Sequence, residues 1–95
     1  MRKSFKKHVI EFCNLHHYDF SETSVDDRWF LRIDRYIKIF SSFNSKNEYV
    51  LLDNVLDIRI VCKASAWDIM TEAIDKLMKY HEDVRAGRKA TIPVF

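Results

Sequence analysis

The sequence predicts an α+β fold in which an N-terminal helix and a C-terminal helix pack on one face of an antiparallel sheet. Three observations predict it: a helical apolar period over residues 65–87, and apolar-polar alternation over 28–43 and again over 48–63. A chain of 95 residues has room for one core. We therefore expect one domain over residues 1–95, with a three- or four-stranded antiparallel meander between the helices.

The first helix is predicted over residues 1–18. Apolar side chains recur there at helical spacing, beginning with Phe5, Val9 and Cys13, while lysines and Glu11 face the other way. Residues 21–27 are polar and show no apolar period, so we expect them to form a loop.

Residues 28–43 decide the fold class. Their β-branched and aromatic content favours one long strand. A helix is the alternative, but it would place Leu31 and Ile39 on its polar side. At a period of two, five large apolar residues share one face: Trp29, Leu31, Ile33, Ile37 and Ile39.

A β-hairpin is predicted over residues 48–63. The dipeptide Asp53-Asn54 is its expected two-residue turn, which would pair Leu52 with Val55.

The C-terminal helix is predicted over residues 65–87. Ser65 and Asp68 have the spacing of a capping box, and Gly87 supplies a left-handed end. The apolar segment 90–95 is a candidate edge strand, where its proline would be tolerated.

The composition excludes several kinds of catalytic site. Phosphate loops, dinucleotide fingerprints and nucleophile elbows need two or more closely spaced glycines, and this chain has one. Asp53 and Asp57 lack the neighbours that would complete a nuclease-like site. The spacing of Cys13, His16 and His17 matches no zinc motif. We expect no enzyme, no cofactor and no metal.

The two cysteines, Cys13 and Cys62, lie among apolar neighbours and are expected to be buried thiols of a reducing compartment. The basic start is not followed by the uninterrupted apolar run of a signal peptide. These features predict a cytoplasmic protein.

The sheet face opposite the helices is the predicted functional surface. It would carry an aliphatic half, consisting of Val50, Leu52, Val55 and Val61, which favours a protein partner. Aromatic and basic residues are typical anchors of such contacts. The predicted partner-binding residues are Phe30, Arg32, Tyr36, Lys38, Phe40 and Arg59.

The sequence therefore predicts a small non-enzymatic protein-binding module, a regulator or inhibitor that occupies a partner's surface, with a homodimer as one form. Its composition is similar to that of small phage and mobile-element regulators as a loose class. An RNA- or DNA-binding regulator is the alternative, because aromatic residues stack on bases while cations meet phosphates. The basic ends of the chain would contribute seven further residues: Arg2, Lys3, Lys6, Lys7, Arg85, Arg88 and Lys89.

Overall fold

A computed structural model describes residues 3–45 and 47–95 as two helices and a five-stranded antiparallel sheet. The strands lie across the sheet in chain order, and both helices cover one of its faces. The predicted α+β class and meander are confirmed, with five strands in place of the expected three or four. In chain order the elements are α1 (Phe5–Leu15), β1 (Phe20–Val25), β2 (Arg28–Ile33), β3 (Ile37–Ser41), β4 (Glu48–Asp53), β5 (Ile58–Lys63), a single 3-10 turn (Ala64–Ala66) and α2 (Trp67–Arg85).

One additional strand is β1, which lies, apart from Phe20, in the segment expected to be a loop. Five of its six residues are exposed, so no burial pattern marks it in the sequence. It pairs with β2 from Phe20 opposite Ile33 to Val25 opposite Arg28. The connecting Asp-Asp dipeptide has φ values of 50° and 61°, as a type I′ hairpin turn requires.

Residues 28–43 contain a second hairpin rather than one long strand. A turn over residues 34–36 separates β2 from β3, and Asp34 has a φ of 53°. Ile33 pairs with Ile37 across the turn. Directly paired residues of antiparallel strands lie on the same face, so the predicted alternation continues in phase through both strands. Tyr36 does not follow the predicted alternation, because it lies in the turn and not on a strand.

The β4–β5 hairpin also has a different register from the expected one. Asp53 pairs with Ile58 across a four-residue turn instead of opening a two-residue turn with Asn54. The Asp53 Oδ1 atom accepts hydrogen bonds from the backbone N–H groups of Val55 and Leu56, both at 2.9 Å, and so holds the longer turn. The two registers differ by an even number of residues, so the predicted faces of β4 and β5 are unchanged.

The core lies between the sheet and the two helices. α1 contributes the predicted stripe of Phe5, Val9 and Cys13, each at most 4 % exposed. The largest fully enclosed aliphatic side chains come from the central strands and α2: Leu31, Ile33, Ile37, Ile39, Leu51, Ile74 and Leu77.

The two ends of α2 differ in how well the sequence predicts them. Ser65 does not cap the helix, because α2 begins one residue later, at Trp67, with Ala66 as a cap that offers no side-chain oxygen. Gly87 has a φ of 74°, and the N–H of Arg88 donates to the carbonyl of Asp83. These features form a Schellman end, as Gly87 predicts.

Residues 88–95 contain no strand, so the candidate edge strand at 90–95 is not formed. The segment turns back along α2. Phe95 lies beside Ile60 and Ile69, and the Lys76 ammonium is 5.6 Å from the centre of its ring. The chain end thus packs against α2 near β5.

A buried carboxylate joins the β4–β5 turn to α2. The same Asp53 side chain that holds the turn places its Oδ2 atom 2.6 Å from Nε2 of His81. Asp53 and His81 are only 2 % and 3 % exposed. The His81 ring also stacks on Tyr36, with ring centres 3.9 Å apart. One side chain therefore couples the last hairpin to the C-terminal helix.

We predict that His81→Leu lowers the free energy of unfolding by about 3–5 kcal/mol, because one oxygen of Asp53 stays buried without its partner. Asp53→Asn keeps an oxygen for the turn and is expected to cost about 1–3 kcal/mol. Urea unfolding measures both losses, and Lys79→Ala on the exposed side of α2 is the control. Losses that simply add in the double variant would show that the two residues are not coupled.

Candidate binding face of the sheet

The open face is the side of the sheet that faces away from both helices. Strand pairing arranges its side chains in three rows that run across the strands. The central row consists of Thr23, Phe30, Phe40, Val50 and Val61. The first flanking row consists of Ser21, Arg32, Lys38, Leu52 and Arg59. The second flanking row contains Val25, Arg28, Glu48 and Lys63.

The central row is aromatic in its middle. Phe30 and Phe40 lie opposite each other on β2 and β3, with ring centres 6.1 Å apart and both side chains half-buried. The aliphatic neighbours offer less surface than the sequence suggests. Val50 is only 2 % exposed, and Val55 lies in the β4–β5 turn rather than on this face. Val61, 46 % exposed at the edge strand, is the most accessible part of the aliphatic half on this face, and Leu52 is half-buried.

Cations flank the aromatic row on both sides. Arg32, Lys38 and Arg59 are exposed in the first flanking row. Adjacent strands are about 4.8 Å apart, so this row spans roughly 14 Å from β2 to β5. Arg28 and Lys63 lie in the second flanking row, together with the acidic Glu48. Within residues 3–45 and 47–95, none of these five cations forms a salt bridge.

Two of the cations lie on aromatic rings. The Lys38 ammonium is 5.1 Å from the centre of the Phe30 ring. The Arg28 guanidinium is 3.3 Å from the centre of Phe43, a ring that is 72 % exposed just beyond β3. Arg28, Phe43 and Lys63 are additions to the predicted residues. Arg28 and Lys63 are an even number of residues from Phe30 and Arg59, so strand alternation alone would have placed them on the same face. Phe43 lies beyond the end of the alternation and carries no such signal.

A shallow hollow of about 330 Å³ lies on the open face over β1, β2 and β3. Ser21 and Thr23 supply hydroxyl groups to it, Phe30 supplies an aromatic ring, and Arg32 and Lys38 supply positive charge. We call these five residues the hydroxyl hollow. Together they offer an aromatic ring for stacking, hydroxyl groups for hydrogen bonding and positive charge for an anion.

Tyr36 lies away from the open face although the sequence predicts it there. Its ring packs on His81 of α2, and its hydroxyl accepts a hydrogen bond from Arg85 at 3.3 Å. Arg85 also pairs with Asp34 at 2.9 Å, and these contacts raise the pKa of its guanidinium. Tyr36 and Arg85 therefore bind each other on the helix side of the sheet.

The basic ends of the chain are not continuous with the open face. Lys3 pairs with Glu11 at 2.7 Å, and Arg88 pairs with Asp83 at 2.9 Å. These contacts belong to the helical layer.

Those remaining basic residues near the ends that the structure describes lie in the same layer. The Lys6 ammonium lies 5.6 Å from the centre of the Trp29 ring. Lys7 and Lys89 are exposed, and Arg2 lies outside the described residues. The structure therefore groups Arg32, Lys38 and Arg59 together and separates them from the described basic residues near the ends.

Both thiols are buried and unlinked. Burial raises the pKa of Cys13 to about 11, and it raises the pKa of Cys62 as well. A raised pKa favours the protonated thiol, which is neither a nucleophile nor a metal ligand. In the part of the chain that the structure describes, no three His, Cys, Asp or Glu side chains are grouped as a metal site would require.

We predict that the Cys13 thiol makes the protein less stable at alkaline pH. Its pKa is about 11 in the folded chain and close to 9 when unfolded. Below pH 9 both states hold the proton, so the thiol causes no change there. Between pH 9 and 11 the unfolded state releases it first, and the free energy of unfolding falls by about 2–3 kcal/mol. Urea unfolding from pH 8 to 11 should show a smaller fall for Cys13→Ala, and equal falls would contradict this.

No helix among residues 3–45 and 47–95 combines the length and the apolarity needed to cross a bilayer. Searches of protein-family models, curated proteins and solved structures give no match for this chain.

Proposed function

We propose that this chain is a non-enzymatic regulator that binds single-stranded nucleic acid on its open face. The observation that carries the proposal is the row of Phe30 and Phe40 flanked on both sides by cations that have no acidic partner within the described residues. Single strands bind in this way, with bases stacked on aromatic rings and phosphates held by cations.

Stacking requires that a base replace the Lys38 ammonium above Phe30. An exposed cation–π contact contributes about 0.5–1 kcal/mol, whereas stacking a base on an aromatic side chain contributes about 1–3 kcal/mol. The Lys38 side chain is exposed and flexible, so its charge moves to a neighbouring phosphate without loss of the favourable interaction. The exchange is therefore favourable.

The charge of the open face also favours a polyanion. Arg28, Arg32, Lys38, Arg59 and Lys63 stand against Glu48, the one acid in the three rows. Glu48 is opposite Lys63 at the far end of the sheet, so the rows hold no acid on the side with Arg32 and Lys38. Asp19 and Asp34 lie just beyond the rows, where they share a second hollow with Arg32, and neither pairs with it. Val50 is buried and Val55 lies off this face, so two of the four predicted aliphatic side chains are not offered to a protein partner.

We predict that binding of a labelled oligouridylate weakens steeply with salt. Neutralising three phosphates by Arg32, Lys38 and Arg59 gives a slope of about −2 in log affinity against log salt, which is roughly a 20-fold loss between 50 and 200 mM. Arg59→Gln should reduce the slope by about 0.7. Fluorescence anisotropy measures both values.

Lys79→Gln is the matched control, because Lys79 is an exposed cation on the opposite side of the molecule. It should leave the slope unchanged. Absence of oligonucleotide binding by the wild-type chain at 50 mM salt would reject nucleic-acid binding.

A protein partner is the second candidate, and the stacked Arg28–Phe43 pair favours it. Arg and aromatic residues are enriched among binding hot spots, and Phe43 is 72 % exposed. In this reading the chain is a regulator or inhibitor that occupies another protein's surface, and a second copy is one such partner. The two unlinked buried thiols fit a reducing, cytoplasmic compartment under either proposal.

We predict that a homodimer formed through the open face would dissociate when a charge is placed at its apolar edge. Sedimentation over a range of concentrations should show the wild-type chain gaining mass, while Phe43→Glu and Val61→Glu remain monomeric. Both side chains are exposed, so neither change disturbs the core. A wild-type monomer at every concentration would reject the homodimer.

A further inference from the structure

We infer that the hydroxyl hollow is a subsite for one nucleotide unit of the bound strand, with the base stacked on Phe30. This inference rests on the proposed nucleic-acid binding and adds where the strand is recognised. Arg32 and Lys38 would hold the phosphate, and Ser21 and Thr23 would contact the polar edge of the base.

The strand register places these groups where a nucleotide needs them. Thr23 is directly opposite Phe30, and Ser21 is directly opposite Arg32. Paired side chains on one face of an antiparallel ladder are about 4.5–5.5 Å apart at Cβ. A base lying on the Phe30 ring therefore has its edge beside the Thr23 hydroxyl. Its phosphate lies toward the row that contains Arg32 and Lys38.

The size of the hollow fits one nucleotide rather than several. Its volume of about 330 Å³ is at the lower end of the range for small-molecule sites. The hollow is also open on the solvent side, because Ser21 and Thr23 are exposed on an edge strand. The rest of the strand can therefore continue across Phe40 toward Arg59.

The two hydroxyl groups make the subsite tolerant of base identity. Each hydroxyl donates one hydrogen bond and accepts others, so it adapts to donors and acceptors on any base edge. They equally suit the 2′-hydroxyl of RNA, which is absent from DNA. Oligouridylate and oligothymidylate of the same length distinguish these two sources of the ligand.

The test combines amide NMR with matched variants of the full chain. Uridine monophosphate should shift the amide signals of residues 21–23, 30–32 and 38 and leave those of α2 unchanged. Thr23→Val removes a hydroxyl while keeping a β-branched shape, and it should weaken oligouridylate binding about five- to tenfold with the salt slope unchanged. Ser21→Ala should act in the same direction.

Ser24→Ala is the control, because Ser24 is an exposed β1 residue on the other face of the strand. It should bind as the wild type does. Wild-type affinity in both Thr23→Val and Ser21→Ala, or nucleotide shifts confined to another part of the open face, would overturn the subsite and leave nucleic-acid binding intact.

Two further outcomes distinguish failure of the nucleotide subsite from failure of nucleic-acid binding as a whole. If no oligonucleotide binds the wild-type chain, nucleic-acid binding fails and the subsite fails with it. If an oligoglutamate peptide produces the same shifts as uridine monophosphate, the hollow recognises charge alone, and the inference of a nucleotide site is overturned.

Discussion

The placement of both helices on one side of a single-layer sheet is the constraint on which the rest of this structure depends. Each strand alternates its side chains between two faces, so a chain that gives one face to the helices leaves the other without a covering layer. The covered face holds the aliphatic core. The uncovered face combines Phe30 and Phe40 with exposed cations. The candidate site is therefore a direct result of the fold's asymmetry and requires no added loop.

Much of the fold can be predicted from the sequence, because a change of strand register by an even number of residues leaves each side chain on the same face of the sheet. The β4–β5 pairing differs from the expected one by an even number of residues, so Leu51 still lies in the core and Ile60 still packs against it. The Asp34 turn likewise keeps Ile33 and Ile37 in phase. β1 could not be recognised by alternation, because exposure of both its faces removes the apolar signal. Its Asp-Asp turn is the local evidence for that hairpin.

Which cations belong to the site is harder to predict, because the ion pairs that each cation forms depend on tertiary structure. Arg85 and Arg32 are both basic residues that the sequence alone predicts to bind a partner. In the folded chain Arg85 is held by Asp34 and Tyr36, whereas Arg32 lies on the open face without an acidic partner among the described residues. Only the folded arrangement shows which cations are available to a ligand.

β1 is an exposed edge strand, so its pairing with the rest of the sheet is expected to depend on whether a ligand is bound there. Backbone pairing with β2 is its main attachment, since it contributes only a half-buried Phe20 and the Glu22 bond to Trp29 toward the helical side. Edge segments with few buried contacts are the first to open locally. A ligand that touches β1 and β2 together would be lost on such opening, so its binding energy would hold the edge closed. All five strands would then be most fully paired when the ligand is bound.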